Sequence, residues 1–178
     1  GEICALTWDK IIYSEGDNKG YIIVNRNIGY TPEKGVYEAN PKTKSGKRNI
    51  PMTKELESIL KEYRAEQIAA VEKRKKRLQS EQKVLSFDNL GEYAKKVEIP
   101  DYLFTIKGTS DPIFPDSVNR FLQKFSKEYG INDCHAHKFR HTFASILEEQ
   151  GIPAATIQYL LGHADVSTIY RVYVHPSK

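Results

Sequence analysis

Residues 134–151 read Cys-His-Ala-His-Lys-Phe-Arg-His-Thr-Phe-Ala-Ser-Ile-Leu-Glu-Glu-Gln-Gly. Their apolar side chains recur at helical spacing, which predicts a helix from Ala136 to Gln150 that buries Phe139, Phe143, Ile146 and Leu147 and stops at Gly151. Within it His137 and Arg140 stand three apart and share a face, while Phe139 points elsewhere. An imidazole beside a guanidinium suits a phosphate. The arginine fork offers two parallel donors to two phosphoryl oxygens, and the histidine can donate to a third or move a proton.

Toward the C-terminus, Pro153 to Leu161 reads as a short helix with proline near its first position, ending at Gly162, which can present His163 on a sharp turn. Ser167 is placed to cap a last helix that ends before Pro176. Toward the N-terminus, a helix from Pro115 sets Val118, Phe121, Leu122, Phe125 and Tyr129 on one face, with Gly130 where a left-handed terminal residue belongs. Residues 84–112 show little periodicity and read as a connecting insert with one short β-like run around Tyr102 to Ile106. Before it, Thr53 offers an N-cap to a long helix with Leu56, Ile59, Leu60 and Tyr63 at helical spacing, running to about Ser80. The charged stretch Glu72 to Arg77 reads as a solvated face of that helix, with a DNA-backbone contact as the alternative.

The first third of the chain is expected to form a small sheet. Its β-like runs are Lys10 to Tyr13, Tyr21 to Asn25 and Val36 to Ala39; turn residues Ser14 to Gly20 separate the first two, and Lys47 to Ile50 can return antiparallel after the third. Gly1 to about Trp8 reads as the tail of a helix with no start signal and no initiator methionine, as though cut from a longer chain. The sum is a mainly α fold with a small antiparallel β-sheet.

Composition adds bounds. The chain has 178 residues, enough for one sizeable core, and its 39% hydrophobic and 28% charged content matches ordinary soluble domains. Two cysteines, Cys4 and Cys134, cannot staple a secreted scaffold, and no apolar run approaches a membrane span, so a cytoplasmic setting is expected. The formal charge of +4, from 27 basic and 23 acidic residues, permits a polyanionic partner without requiring one.

Beyond His163 lies Tyr173, within Tyr170-Arg171-Val172-Tyr173-Val174-His175. A phenol with a pKa of about 10 becomes a useful nucleophile only beside cations or a base that favour the phenolate. Cationic donors also stabilise a phosphoryl transition state. Both needs point to the same cluster of residues. Tyr170, three residues earlier, is the rival nucleophile. Cys134, His135, His137 and His141 are a weaker candidate for a zinc site, because a lone cysteine lacks a second ligand pair. His135 and His141 read more simply as caps or satisfied polar groups.

The run His137-x-x-Arg140-His141-Thr142-Phe143-Ala144, then Leu160-Leu161-Gly162-His163 and Tyr173-Val174-His175, resembles the catalytic domain of the tyrosine recombinase, or phage integrase, family. Pro41-Lys42-Thr43-Lys44-Ser45-Gly46-Lys47-Arg48-x-Ile50-Pro51 resembles the family's β-hairpin carrying a catalytic lysine, and Gly1 to Trp8 resembles the segment after its first catalytic arginine. The likeness spans nearly the whole chain and is weakest between about 64 and 100. It implies the DNA breaking-rejoining fold and these roles: Tyr173 attacks the scissile phosphodiester to give a 3′-phosphotyrosyl link, Arg140 clamps the non-bridging oxygens, His137 moves a proton or orients the phosphate, His163 hydrogen-bonds the phosphate, and Lys42, with Lys44 as competitor, protonates the leaving 5′-oxygen. Bond energy is conserved in such a reaction, so no cofactor and no metal are expected. The partner implied is double-stranded DNA, with self-assembly on it as a synaptic tetramer, in the cytoplasm at the nucleoid and without a membrane.

The resemblance also places the family's first arginine two positions ahead of Gly1, so residues 1–178 are expected to form one catalytic module lacking that arginine and an N-terminal DNA-binding domain, with cleavage by the isolated module impaired. The PKTKSG context leans toward a mobile-element integrase. Two other readings stay open: a non-catalytic DNA-binding regulator of the same fold, and a helical protein-interaction domain.

Overall fold

The computed structural model describes residues 1–39, 46–85, 98–107 and 109–162. Its described helices are α1 (Lys54–Leu85), α2 (Pro115–Tyr129), α3 (Ala136–Glu149) and α4 (Ala154–Leu161), and its strands are β1 (Ile11–Ile12), β2 (Tyr21–Val24), β3 (Asn27–Thr31), β4 (Gly35–Ala39) and β5 (Arg48–Pro51). The chain is therefore mainly helical with small antiparallel sheets, as expected. It divides into two compact units, one of residues 1–5, 23–50 and 113–178, the other of residues 6–22 and 51–112.

The second unit is built on α1. Thr53 caps this helix by accepting from the Leu56 amide at 3.2 Å, as its place in the sequence predicts, and the helix runs a turn beyond the expected end. Leu60 packs with Ile11, Met52 and Leu103 into a core closed by Trp8, Tyr13 and Phe104. Gln67 ties α1 to both neighbours, accepting from the Trp8 indole at 2.9 Å and donating to the Leu103 carbonyl at 2.8 Å. Glu57 turns inward and accepts from the Ser14 hydroxyl at 2.7 Å and amide at 3.2 Å.

The segment expected as a helical tail is instead two 3-10 turns, Ile3–Ala5 and Trp8–Lys10. Thr7 between them is extended, because the backbone here pairs with residues 101–103: Trp8 donates to the Asp101 carbonyl at 2.8 Å, and Leu103 donates to that of Leu6 at 2.9 Å. The β-like run at Tyr102 to Ile106 supplies that pairing through the isolated bridges Thr7↔Tyr102 and Thr105↔Pro112, without becoming a strand.

Sheet pairing also departs from expectation. Val36 to Ala39 pairs with β3, a strand absent from the sequence reading, in register from Thr31↔Gly35 to Asn27↔Ala39. The cause is local. Pro32, Glu33 and Lys34 make a three-residue loop closed by Gly35 at φ 65°, and the Thr31 hydroxyl accepts from the Lys34 amide at 3.2 Å. The return strand β5 belongs to a different sheet, of order β1-β2-β5.

In the first unit, α2 begins with Pro115 and ends at Gly130 with φ 65°, and α4 ends at Gly162 with φ 69°, both as expected. The buried side of α3 is not the predicted one. Ala144 is buried against Ile157 and Leu161, with Leu147 partly so, whereas Phe139, Phe143 and Ile146 are exposed. Arg140, Ala144 and Leu147 form one helical stripe and Phe139, Phe143 and Ile146 the next, rotated by a single residue. The small side chain of Ala144 lets α4 approach closely, and that decides which stripe packs. Likewise Phe121, Phe125 and Tyr129 share a face on α2, but the face is exposed; their rings lie against one another, with centroids 6.4 and 4.4 Å apart. The region after Gly162, with the helix expected from Ser167, lies outside the described residues.

Truncating Ile157, 2% exposed, to alanine should cost about 2–5 kcal/mol in urea unfolding, while Phe143→Ser should cost less than half of that. Equal losses would mean that the aromatic stripe, not Ala144, carries the packing.

Candidate active site

Arg140 lies on the packed stripe of α3, and His137 precedes it by one turn on an exposed position. The helix start is set by His135, whose Nδ1 accepts from the Lys138 amide at 3.3 Å and whose Nε2 lies 3.5 Å from Asp133 Oδ1. Asp133 also pairs with the Lys138 ammonium at 3.2 Å. His135 is thus a cap, as its position suggested, and it sets where the helix that carries His137 and Arg140 begins.

The Arg140 guanidinium donates from Nη2 to Glu2 Oε2 at 3.3 Å and keeps 32% of its side chain exposed. Glu2 is held at its own end of the unit: Ala5 donates to the carbonyls of Gly1 and Glu2 at 3.2 and 3.1 Å, and Ile28 of β3 donates to the Gly1 carbonyl at 3.3 Å. The stronger partner of Glu2 is Arg48, the first residue of β5. Its Nη1 and Nη2 reach the two carboxylate oxygens at 2.9 Å each, and its side chain is only 3% exposed. The Arg48 Nε donates to the Leu160 carbonyl at 2.8 Å, and Nη1 also donates to the Gly46 carbonyl at 3.2 Å.

The Leu160 contact has a plain electrostatic reason. The last carbonyls of a helix lack intrahelical partners and carry the negative end of its dipole, so a buried cation there satisfies both. Gly162 is required for it. A Cβ at this left-handed position would stand 2.9 Å from Arg48 Cζ, so the turn before His163 and the Arg48 side chain fit only around glycine. Tyr159 completes the junction by accepting from the Asn49 amide at 3.1 Å.

Burial of Glu2 raises its carboxyl pKa, but the hydrogen bond and charge of Arg48, with the charge of Arg140, outweigh that and hold it below the usual carboxylate range. Of the residues expected to carry chemistry, Arg140 and His137 are placed together on α3, while Lys42, Lys44, His163, Tyr170 and Tyr173 lie outside the described residues. Glu2 and Arg48 carried no assigned role in the sequence reading. A cavity of about 310 Å³ between Tyr30, Phe114, Pro115, Asp116 and Arg120 contains none of the expected residues. Among the described residues, no three His, Cys, Asp or Glu side chains stand close enough to hold one metal ion, and no helix is long and apolar enough to cross a membrane.

The pattern of the phage integrase family matches residues 1–178, and the chain belongs to that family. It is 27% identical over 180 residues to a XerC-like tyrosine recombinase of Caldanaerobacter subterraneus, covering 98% of this chain and 41% of that protein. It is 45% identical over 85 residues to the tyrosine recombinase XerC of Staphylococcus epidermidis, covering 47% of this chain and 28% of the relative. The fold is similar to that of the Tn1549 transposon integrase in complex with circular intermediate DNA, with TM-score 0.65 and 20% identity over 99% of this chain and 51% of that one. It is also similar to the XerA recombinase, with TM-score 0.60 and 23% identity over 100% of this chain and 48% of that one. The chain therefore has the tyrosine recombinase catalytic-domain fold and spans about half or less of the length of these relatives.

A depressed Glu2 pKa stabilises the fold above the ordinary glutamate value near 4.5, and the contribution disappears as pH falls through the lower folded-state value. Wild type should be more stable than Glu2→Gln at pH 7, and the gap should close toward pH 3 in matched denaturant titrations. A gap unchanged over that range would show that the carboxylate charge contributes nothing.

Proposed function

We propose that residues 1–178 form the catalytic module of a site-specific DNA recombinase that breaks and rejoins double-stranded DNA through a 3′-phosphotyrosyl intermediate. The observation that carries this reading is Arg140: in a chain of the phage integrase family, its guanidinium is partly exposed, tethered by one 3.3 Å hydrogen bond to Glu2, and one helical turn from His137. In this reading the Tyr173 phenolic oxygen attacks the scissile phosphorus, its proton passes to His137, and the bond to the 5′-oxygen breaks. Lys42 protonates that oxygen, while Arg140 and His163 hold the non-bridging oxygens as charge builds on them. Attack by another strand's 5′-hydroxyl reverses the step and releases Tyr173. Each phosphodiester lost is replaced by one of similar energy.

Integration or excision of a mobile element is the biological role we favour. The Pro41–Gly46 context and the likeness to a transposon integrase support it, while the XerC and XerA relatives support a Xer-type role. Assembly on DNA as a synaptic tetramer and action at the nucleoid accompany the reading.

A pool of nicked duplexes of randomised sequence, in which the cleaved end diffuses away, traps the intermediate as an adduct that survives detergent. The full-length protein should form it, Tyr173→Phe in that protein should abolish it, Tyr170→Phe should leave it, and Arg140→Ala should slow it about 100- to 1,000-fold. Adducts that persist in Tyr173→Phe and vanish in Tyr170→Phe would move the nucleophile. Salt-sensitive DNA binding with no adduct would point to a non-catalytic regulator.

A further inference from the structure

We propose that Arg48 is the positioning residue of this site: by taking the Glu2 carboxylate in a bidentate pair it leaves the Arg140 guanidinium free for a phosphodiester, and it fixes the end of α4 from which Gly162 and His163 follow; this rests on the recombinase reading of Arg140.

Glu2 lies between two arginines and divides its charge unequally. Arg48 meets both of its oxygens at 2.9 Å, whereas Arg140 reaches one of them at 3.3 Å. The parallel, shorter pair is the stronger one, so Glu2 orients Arg140 without neutralising it. Remove Arg48, and Arg140 is the cation left to the carboxylate. A two-bond pair with Glu2 would then occupy the donors that a phosphate needs.

Arg48 itself cannot serve a phosphate. Its side chain is 3% exposed, and its donors are directed at Glu2, the Leu160 carbonyl and the Gly46 carbonyl. Those three acceptors connect it to each part of the expected site. Glu2 leads to Arg140, Leu160 is three residues before His163, and Gly46 is four residues after Lys42. Lysine could not substitute, because one ammonium cannot span a carboxylate and two carbonyls in the plane that a guanidinium covers.

The test uses the nicked-duplex adduct assay with Arg48→Met, Arg48→Lys, Glu2→Gln and the double variant Glu2→Gln/Arg48→Met, together with DNA affinity. Arg48→Met and Arg48→Lys should slow adduct formation by about tenfold or more while affinity stays within about threefold, because Arg48 does not touch DNA. Adding Glu2→Gln to Arg48→Met should restore most of the lost rate, since an uncharged amide at that position no longer captures Arg140. A merely structural Arg48 predicts the opposite, a double variant no faster than Arg48→Met. That outcome, or an Arg48→Met rate within about threefold of wild type, overturns the proposal. Should Arg48→Met not fold, Arg48→Lys and its Glu2→Gln double decide by the same criteria. Should the full-length wild-type protein, in which all these variants are made, form no Tyr173-dependent adduct, the recombinase reading itself fails. A crystal structure of Arg48→Met, or of Arg48→Lys, then decides the positioning: Glu2 making two hydrogen bonds to Arg140 supports it, and a single unchanged contact overturns it.

Discussion

The pair between Arg48 and Glu2 organises the unit that carries the candidate site. An arginine with 3% of its side chain exposed needs its charge compensated and its donors filled, because an unpaired buried ion costs several kcal/mol. Glu2 supplies the charge, and the carbonyls of Leu160 and Gly46 fill further donors. Residues 46, 112 and 2 positions away from Arg48 in sequence are thereby held around one planar group. Satisfying that group fixes where β5 begins, where α4 ends and where the 3-10 turn Ile3–Ala5 sits. The terminus of α4 gains as well, since a cation at the negative end of a short helix complements its dipole.

Small residues make the arrangement possible. Gly162 admits the Arg48 guanidinium where any Cβ would collide with it, and Ala144 lets α4 lie close on α3. Close packing at Ala144 sets the rotation of α3, and that rotation places Arg140 on the stripe nearest Glu2. Had the aromatic stripe of Phe139 and Phe143 packed instead, Arg140 would have turned about one residue, or roughly 100°, away from its carboxylate.

What the sequence made legible were features encoded within a turn or two of chain. The His137–Arg140 spacing, the His135 cap, the Thr53 cap, Pro115 at a helix start and the glycines 130 and 162 at helix ends are short-range signals, and each stands where its chemistry placed it. The misses have three causes. Phe139, Phe143 and Ile146 have the same helical spacing as the stripe that is buried, so periodicity located the helix but not its phase; Ala144, being small, weighs little in such a pattern although it is the most buried residue of α3. The β3–β4 hairpin was missed because β3 contains Asn27 and Gly29, poor strand formers, and its strongest clue was the Pro32–Gly35 turn. Glu2 and Arg48 were unreadable for a different reason. Nothing local links two residues 46 apart, and a buried arginine looks like any surface cation until its partners are known.

The charge of the cluster bears on how a recombinase site of the kind proposed here would work. Glu2, Arg48 and Arg140 together sum to one positive charge, equal and opposite to a single phosphodiester. A lone exposed arginine would carry the same net charge but would have to lose its rotamer freedom each time it met a phosphate, at a cost of up to about 2 kcal/mol. Arg140 is already restrained by its bond to Glu2, so less ordering remains to be done when charge develops on the phosphoryl oxygens. The carboxylate must be strong enough to orient Arg140 and too occupied to neutralise it. A carboxylate already committed to a second, buried arginine meets both conditions, whereas a free one meets only the first.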